Sequence, residues 1–169
     1  MGEAFRGEFY QKVDAKARVS VPAAFRRILE ADDPASDATP RARLYMVYGG
    51  KNRNFVECWS KTGADWLAAQ IDAMELGSKA RERAERDMIS RSVMVEIEPE
   101  GRIVLPPQVR AKLGITDAAE AAFVGASNRF KLYRSDTYQA ELDADDEDDD
   151  DAGLDALTLI GRAQKERGM

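Results

Sequence analysis

The sequence predicts an α+β domain rich in β-structure, built from two tandem copies of one small unit. The main observation is a short passage that occurs twice, at an offset of 84 residues. Alternating polar and apolar residues around each copy, and two segments typical of β-hairpins, support the same conclusion. Because a fixed internal offset indicates a duplicated structural unit, we expect pseudo-twofold symmetry.

The repeated passage contains an acid, an arginine, a proline, a second arginine and a leucine. The first copy runs from Asp14 to Leu29 and the second from Glu98 to Leu113. In each copy the acid and the first arginine flank three residues suited to a turn, so the chain is expected to display two similar charged turns. One unit of roughly 50 to 70 residues buries little apolar surface, so the two copies are expected to share a core.

The first copy predicts a strand, the charged turn, a second strand, a short helix and a hairpin. The stretch 18–21 alternates polar and apolar residues, as a half-buried strand does. Pro22 favours a helix start, because its missing N–H is not needed in the first helical turn. The predicted elements are strands at 8–13, 18–21, 44–48 and 54–60, a helix from Pro22 and a loop at 32–43.

The residues from Lys61 to Asp87 have a helical composition, with a break expected at Gly77-Ser78. The part from Lys79 to Arg91 is dense in charges of both signs. A solvated helix face with pairs four residues apart explains this pattern, and a helix that contacts phosphate is the alternative.

The second copy predicts the same order of elements as the first. Gly101 can supply the positive φ that a tight turn needs. The predicted elements are strands at 92–97, 103–105, 121–125 and 129–133, a helix from Pro106 to near Gly114 and a helix at 135–142. The segment 143–151 is nearly all acidic, and self-repulsion predicts disorder there.

The composition excludes several classes of function. The chain has no histidine and one cysteine, Cys58. These counts remove histidine-based catalysis, most zinc sites, an intrachain disulfide and thiolate metal clusters. No run of about 18 apolar residues is present, and the N-terminus lacks the apolar region of a secretory signal. We therefore expect a cytoplasmic protein with no catalytic residues, metal, cofactor, membrane or small-molecule substrate.

The charges are distributed unevenly along the chain. The net charge is −6, but residues 136–169 hold 12 acids and three bases, which leaves residues 1–135 with 22 bases and 19 acids. A mildly basic body with an acidic appendage is compatible with a nucleic-acid partner.

Each charged turn has two interpretations. The acid and arginine form an ion pair that closes the turn, or the carboxylate orients the guanidinium towards guanine or phosphate. Lys16 favours the second interpretation for the first turn. Its counterpart Glu100 reverses the sign in the second turn, which makes that turn the weaker candidate.

The repeated motifs resemble those of the MraZ family, bacterial regulators with two tandem SpoVT-AbrB-like units. The matching residues are Phe5-Arg-Gly7, the stretch 14–22 and the stretch 98–106, and the resemblance spans roughly residues 4–142. Three features depart from the family pattern, namely Glu98 instead of aspartate, the acidic Glu100 and the tail beyond residue 142. The first two leave the DNA contact of the second turn open.

The resemblance implies a swapped-hairpin barrel formed by the two halves and a ring-shaped homo-oligomer. It also implies a transcriptional regulator that binds double-stranded DNA at repeated G-rich sites. These sites lie upstream of the division and cell-wall gene cluster, including its own promoter, so the protein would associate with the nucleoid. Carried over by position, the DNA-binding residues are Asp14, Lys16, Arg18, Glu98 and Arg102.

Four segments follow from this interpretation. They are a first AbrB-like unit at 5–60, a helical connector at 61–91, a second unit at 92–142 and an acidic, disordered tail at 143–169. The alternative function is an AbrB-like antitoxin or adaptor that acts mainly by binding another protein. Enzyme activity is the weaker rival, because without histidine it would depend on carboxylate, lysine or tyrosine chemistry.

Overall fold

The computed structural model describes residues 2–147 and 155–168. The chain forms two compact units, Met1–Tyr138 and Gln139–Met169. The charged turns, both copies and all the strands belong to the first unit. The division lies inside a helix and near, but not at, the expected boundary at residue 142. The four expected segments themselves stay a prediction.

The first copy contains four strands and a helix in the predicted order. Phe25, Ile28 and Leu29 form the buried face of the helix at the spacing expected for one side of a helix. Pro22 is the N-cap residue and immediately precedes the first helical residue. The elements are β1 (Glu8–Val13), β2 (Arg18–Ser20), α1 (Ala23–Asp32), β3 (Arg43–Val47) and β4 (Val56–Trp59).

The connector forms two helices, as predicted. They are α2 (Lys61–Asp72) and α3 (Lys79–Glu85), followed by a π-helical turn at Arg86–Ser90. Ser60 caps α2 by accepting a hydrogen bond from the Gly63 N–H, and Ser78 caps α3 by accepting one from the Arg81 N–H. Serine is well suited to this role because its oxygen satisfies an amide that has no partner within the helix.

The second copy repeats the first. Pro107 lies in the first turn of its helix, and Gly114 ends that helix in the left-handed region at φ 70°. The elements are β5 (Ser92–Glu96), β6 (Arg102–Val104), α4 (Pro107–Leu113), β7 (Ala119–Gly125) and β8 (Phe130–Arg134). Two further helices follow, α5 (Ser135–Glu147) and α6 (Ala156–Arg167).

The larger sheet exchanges strands between the two copies. Its order is β1-β7-β8-β4-β3-β5, and every neighbouring pair is antiparallel. If each strand is replaced by its equivalent in the other copy, the same order is obtained when the sheet is read from its opposite edge. The sheet therefore has the expected pseudo-twofold symmetry. The first strand of each copy pairs with the hairpin of the other copy. The two copies therefore form one domain with a shared sheet and not two separate domains.

A separate two-stranded ribbon joins the copies at their repeated passages. β2 pairs with β6, and Val19 lies opposite Ile103, its own equivalent in the other copy. Two symmetry-related hydrogen bonds extend the ribbon. The Val21 N–H donates to the Gly101 carbonyl at 3.0 Å, and the Leu105 N–H donates to the Ala17 carbonyl at 2.8 Å. The ribbon thus connects each turn to the strand of the other copy.

The core lies between these sheets and α1 and α4. Phe25 is fully buried and contacts phenylalanines from both copies. Its ring centroid lies 5.3 Å from Phe5, 5.2 Å from Phe9 and 4.8 Å from Phe130. Cys58 is fully buried in β4, and burial raises the pKa of its thiol. The two copies therefore share one core, as the short length of each unit predicts.

The structure confirms an α+β fold with antiparallel strands, and the swapped-hairpin barrel stays a prediction. The strands form a six-stranded sheet and a two-stranded ribbon, and no closed barrel is observed among the described residues. Residues 143–147 continue α5 within the stretch where self-repulsion predicts disorder. Residues 156–167 form α6 within the expected tail 143–169, where the apolar residues Leu157, Leu159 and Ile160 are compatible with a short amphipathic turn. The Asp155 side chain caps α6 through the Thr158 N–H, which explains its start. The rest of the acidic segment, residues 148–154, lies outside the described residues.

Substitution of Ile103 tests the importance of the ribbon. Ile103 is completely buried at the centre of the ribbon, so Ile103→Ala is expected to lower the free energy of unfolding by about 2–5 kcal/mol. Urea denaturation followed by circular dichroism measures this change. The neighbouring Val104 is 46% exposed, and Val104→Ala is the matched control, with an expected change below about 0.5 kcal/mol. Equal effects of the two substitutions would contradict the central position of Ile103.

Candidate nucleic-acid interface

The first charged turn, residues 14–18, is closed by its own backbone. The Asp14 N–H donates to the Arg18 carbonyl at 3.0 Å, and the Ala17 N–H donates to the Asp14 carbonyl at 3.0 Å. The Asp14 side chain adds a second set of bonds. Its Oδ1 accepts from the backbone N–H groups of Lys16 and Arg18, each at 2.9 Å. The Asp14 carboxylate therefore fixes the conformation of the turn through bonds within the turn itself.

Asp14 also holds the guanidinium of Arg18. The Arg18 Nε donates to the Asp14 Oδ2 at 2.8 Å, and the two side chains are 36% and 40% exposed. In the part of the chain that the structure describes, the terminal nitrogens of Arg18 make no hydrogen bond. Exposed ion pairs contribute little to stability, so the main effect of the pair is to orient the guanidinium. Both sequence interpretations are therefore compatible, because the pair closes the turn and leaves both terminal nitrogens of Arg18 available as donors.

The pKa of Asp14 is lowered from its usual value of 3.8. The largest cause is the hydrogen bond from the Arg18 backbone N–H, and the Arg18 side chain and the Lys16 N–H act in the same direction. The stability that this provides is present above pH 3.8 and is lost as the pH falls through the lowered pKa.

The second charged turn, residues 98–102, has the same backbone but different side-chain contacts. The Glu98 N–H donates to the Arg102 carbonyl at 2.8 Å, and the Gly101 N–H donates to the Glu98 carbonyl at 2.8 Å. The Arg102 Nη2 however pairs with the Glu100 Oε1 at 3.2 Å. An ion pair between the acid and the arginine four residues later, which is one of the two interpretations of each turn, therefore forms in the first turn, whereas in the second turn Arg102 pairs with Glu100.

The pairing of Arg102 with Glu100 follows from the chemistry of the second turn. Glutamate has one more methylene than aspartate, and Glu98 does not reproduce the bonds that Asp14 makes to the backbone. The pKa of Glu100 is lowered, first by a hydrogen bond from its own backbone N–H and then by Glu98 and Arg102. Glu100 is thus a carboxylate that engages the arginine, and the sign reversal noted in the sequence has a structural role.

The ribbon presents both arginines on one face. Val19 and Ile103 point inwards and are buried, whereas their neighbours along β2 and β6 point outwards. Arg18 lies opposite Val104 and Arg102 lies opposite Ser20, so the arginines occupy diagonal positions. Their side chains are equally exposed, at 36% each. A two-stranded ribbon is one of the elements that the major groove of DNA can accommodate.

Two further arginines lie beside the turns, and they are not among the site residues that the sequence predicts. Arg26 on α1 packs against Gly101 of the second turn. Its equivalent Arg110 on α4 lines a small cavity beside Asp14 and Ala17 of the first turn. The signal was available, because an arginine recurs at these positions with the same offset of 84 residues. The sequence does not reveal that each arginine lies beside the turn of the other copy.

Neither a metal-binding cluster nor a membrane-spanning helix is found in the part of the chain that the structure describes. Among residues 2–147 and 155–168, no group of three or more acidic or cysteine side chains is arranged to hold a metal ion. No helix in these same ranges is long and apolar enough to cross a membrane.

Comparison with known proteins gives a consistent picture. No family model matches the chain. It is 47% identical over 165 residues to a protein of Cereibacter sphaeroides (strain ATCC 17025) named transcriptional regulator MraZ, a match that covers 95% of this chain and 97% of the relative. Proteins of the same name from Ruegeria pomeroyi and Xanthobacter autotrophicus are 40% and 32% identical over 148 and 142 residues. These two matches cover 87% and 82% of both chains.

The hydrogen bonds of Asp14 can be tested by titration. In Arg18→Gln the backbone N–H that contributes most is retained and the guanidinium is lost. We therefore expect the pKa of Asp14 to rise but to remain below 3.8. Carboxyl-carbon NMR across the acid range measures it. Arg83→Gln removes an exposed arginine of α3 and should leave this pKa unchanged. A pKa that rises to the ordinary value in Arg18→Gln would show that the side chain is the main cause.

Proposed function

The chain belongs to the MraZ family, and from this premise we propose that it is a DNA-binding transcriptional regulator that recognises repeated G-rich sites. We propose further that these sites lie upstream of the division and cell-wall gene cluster and include its own promoter. The name shared by the relatives supports the regulatory part of this proposal. Since these relatives are named as regulators, we assign no catalytic residues.

The observation that carries the proposal is the ribbon with its two outward arginines. Arginine donors match the O6 and N7 acceptors of guanine in the major groove. In the proposed complex Arg18 binds guanine, Asp14 fixes its direction, and the exposed Lys16 contacts phosphate. The second turn contributes Arg102, with Glu98 closing the backbone of the turn. Because Glu100 already engages Arg102, the first turn provides the larger share of the sequence recognition.

Repeated sites suit a protein that presents the same interface several times. We propose that the chain assembles into a ring-shaped homo-oligomer, so that several ribbons bind several repeats on one duplex. Binding of one protomer then raises the effective concentration of the next, which increases the overall affinity without a new contact. A complex of this kind would associate with the nucleoid in the cytoplasm.

The fold is part of the same proposal. We propose that the exchange of β1 and β5 between the copies corresponds to the swapped-hairpin barrel of the family, with the β2–β6 ribbon as the remaining element of that barrel. The functional segments are then the units 5–60 and 92–142, the connector 61–91 and the tail 143–169. The two units form the DNA-binding body.

Substitution of Arg18 tests the function. We expect wild-type protein to prefer a duplex with the G-rich repeats from upstream of its own gene over a scrambled duplex. In Arg18→Ala the affinity for the G-rich duplex should fall by about tenfold or more, because a bidentate contact to guanine is lost. Fluorescence anisotropy at two salt concentrations measures both affinities. Circular dichroism establishes that the variant is folded.

A matched control separates recognition from general charge. Arg83 lies on α3 with a side chain that is 73% exposed, so Arg83→Ala removes one positive charge outside the ribbon. This variant should retain the preference for the G-rich duplex. Equal, salt-sensitive binding of wild type to both duplexes would overturn the proposed recognition of guanine repeats. Absence of binding to either duplex would favour the alternative, an antitoxin or adaptor that binds another protein.

A further inference from the structure

We propose that Arg26 and Arg110 are phosphate-binding residues of the interface, each of which serves the charged turn of the other copy. The inference rests on the proposed function, because it names additional DNA contacts. It arises from a juxtaposition that the fold creates: the helix of one repeat places a guanidinium beside the turn of the second repeat. Arg26 and Arg110 are equivalent residues, and each lies beside the charged turn of the other copy.

Arg26 occupies the space above Gly101. A Cβ atom built on Gly101 would lie 2.6 Å from the Arg26 Cζ and 2.9 Å from its Cδ, so a side chain at position 101 would displace the Arg26 side chain from this place. Gly101 has φ 88°, so glycine is favoured there for its backbone as well. The residue before Arg102 therefore leaves room for a guanidinium from α1, next to the arginine that faces outwards on the ribbon.

Arg110 has a related position beside the first turn. It lines a small cavity together with Asp14, Ala15 and Ala17. Ala17 has φ 63° and occupies the position of Gly101, but its methyl group takes the space that Arg26 uses in the second turn. Asp117 lines the same cavity, and no ion pair joins it to Arg110 within the described ranges. Arg110 therefore lies beside the first turn, whereas Arg26 packs directly over Gly101 of the second turn.

Both arginines lack an anionic partner. Their Nε atoms are buried and have no hydrogen-bond partner in the described part of the chain, and neither side chain forms an ion pair there. By contrast, Arg18, Arg43 and Arg102 each pair with a carboxylate. A partly buried guanidinium without an anion is unfavourable, so binding of an external anion at its terminal nitrogens is favoured. Phosphate, with its several acceptor oxygens, is suited to this geometry.

The position of Arg26 also compensates for the negative charge of the second turn. Glu98 and Glu100 give this turn an excess of negative charge over Arg102, which by itself opposes contact with DNA. Arg26 supplies the missing positive charge from the other copy. Phosphate contacts of this kind position a protein on the duplex without reading its sequence. The two arginines would thus complement the guanine contact proposed for Arg18.

The salt dependence of binding tests the inference. Each lost phosphate contact lowers the slope of log affinity against log salt by about one, and weakens binding to all sequences equally. We expect this result for Arg26→Gln and for Arg110→Gln, on both the G-rich and the scrambled duplex. Arg26→Lys retains the charge and should retain most of the slope. Thermal unfolding establishes whether each variant is folded, and the two positions give independent tests.

The neighbouring Arg27 provides the matched control. It is exposed on the same helix, and Arg27→Gln removes the same charge without the contact to the turn. Slopes for Arg26→Gln and Arg110→Gln that equal the slope of Arg27→Gln would overturn this inference and leave the proposed function intact. Wild-type protein that binds neither duplex would overturn both. Wild type without a preference for guanine repeats would overturn only the proposed recognition, because the slopes are measurable on either duplex.

Discussion

The pairing of β2 with β6 is the constraint on which the arrangement of the interface depends. Each strand is only three residues long, and a lone three-residue strand provides few hydrogen bonds. The strands are held because Val19 and Ile103 enter the shared core and because each turn accepts a hydrogen bond from the other copy. The same contacts that bury the apolar side chains direct Arg18 and Arg102 outwards. Core packing and display of the arginines are therefore two results of one pairing.

The two charged turns achieve similar shapes by different chemistry. Asp14 satisfies two backbone amides and the Arg18 Nε with one carboxylate, so the first turn is organised from within. Both turns contain a residue with positive φ, Ala17 or Gly101, but only Gly101 in the second turn packs against Arg26 from the other copy. A duplicated sequence has thus diverged in its side chains while the backbone hydrogen bonds were retained. The two sites need not contribute equally to one complex.

Much of the fold could be predicted because it is determined by local patterns. The offset of 84 residues, the alternation along β2 and the glycine break in the connector predicted the duplication, the strands and the two helices, and the structure confirms them. Two kinds of feature do not follow from local patterns in the sequence. The exchange of strands and the approach of Arg26 to Gly101 depend on contacts distant in sequence. The pairing of Arg102 with Glu100 depends on side-chain geometry, which a pattern of charges does not resolve.

The exchange of strands has a consequence for synthesis on the ribosome. β1 pairs with β7, and paired residues lie more than 100 positions apart in the chain. At typical rates of translation, β1 emerges on the order of ten seconds before its partner exists. Long-range pairing of this kind slows folding and leaves strand edges exposed in the meantime. During this interval the β1 edge can accept a β7 strand from another nascent chain. The local density of translating ribosomes therefore influences whether the exchange is completed within one polypeptide or between two.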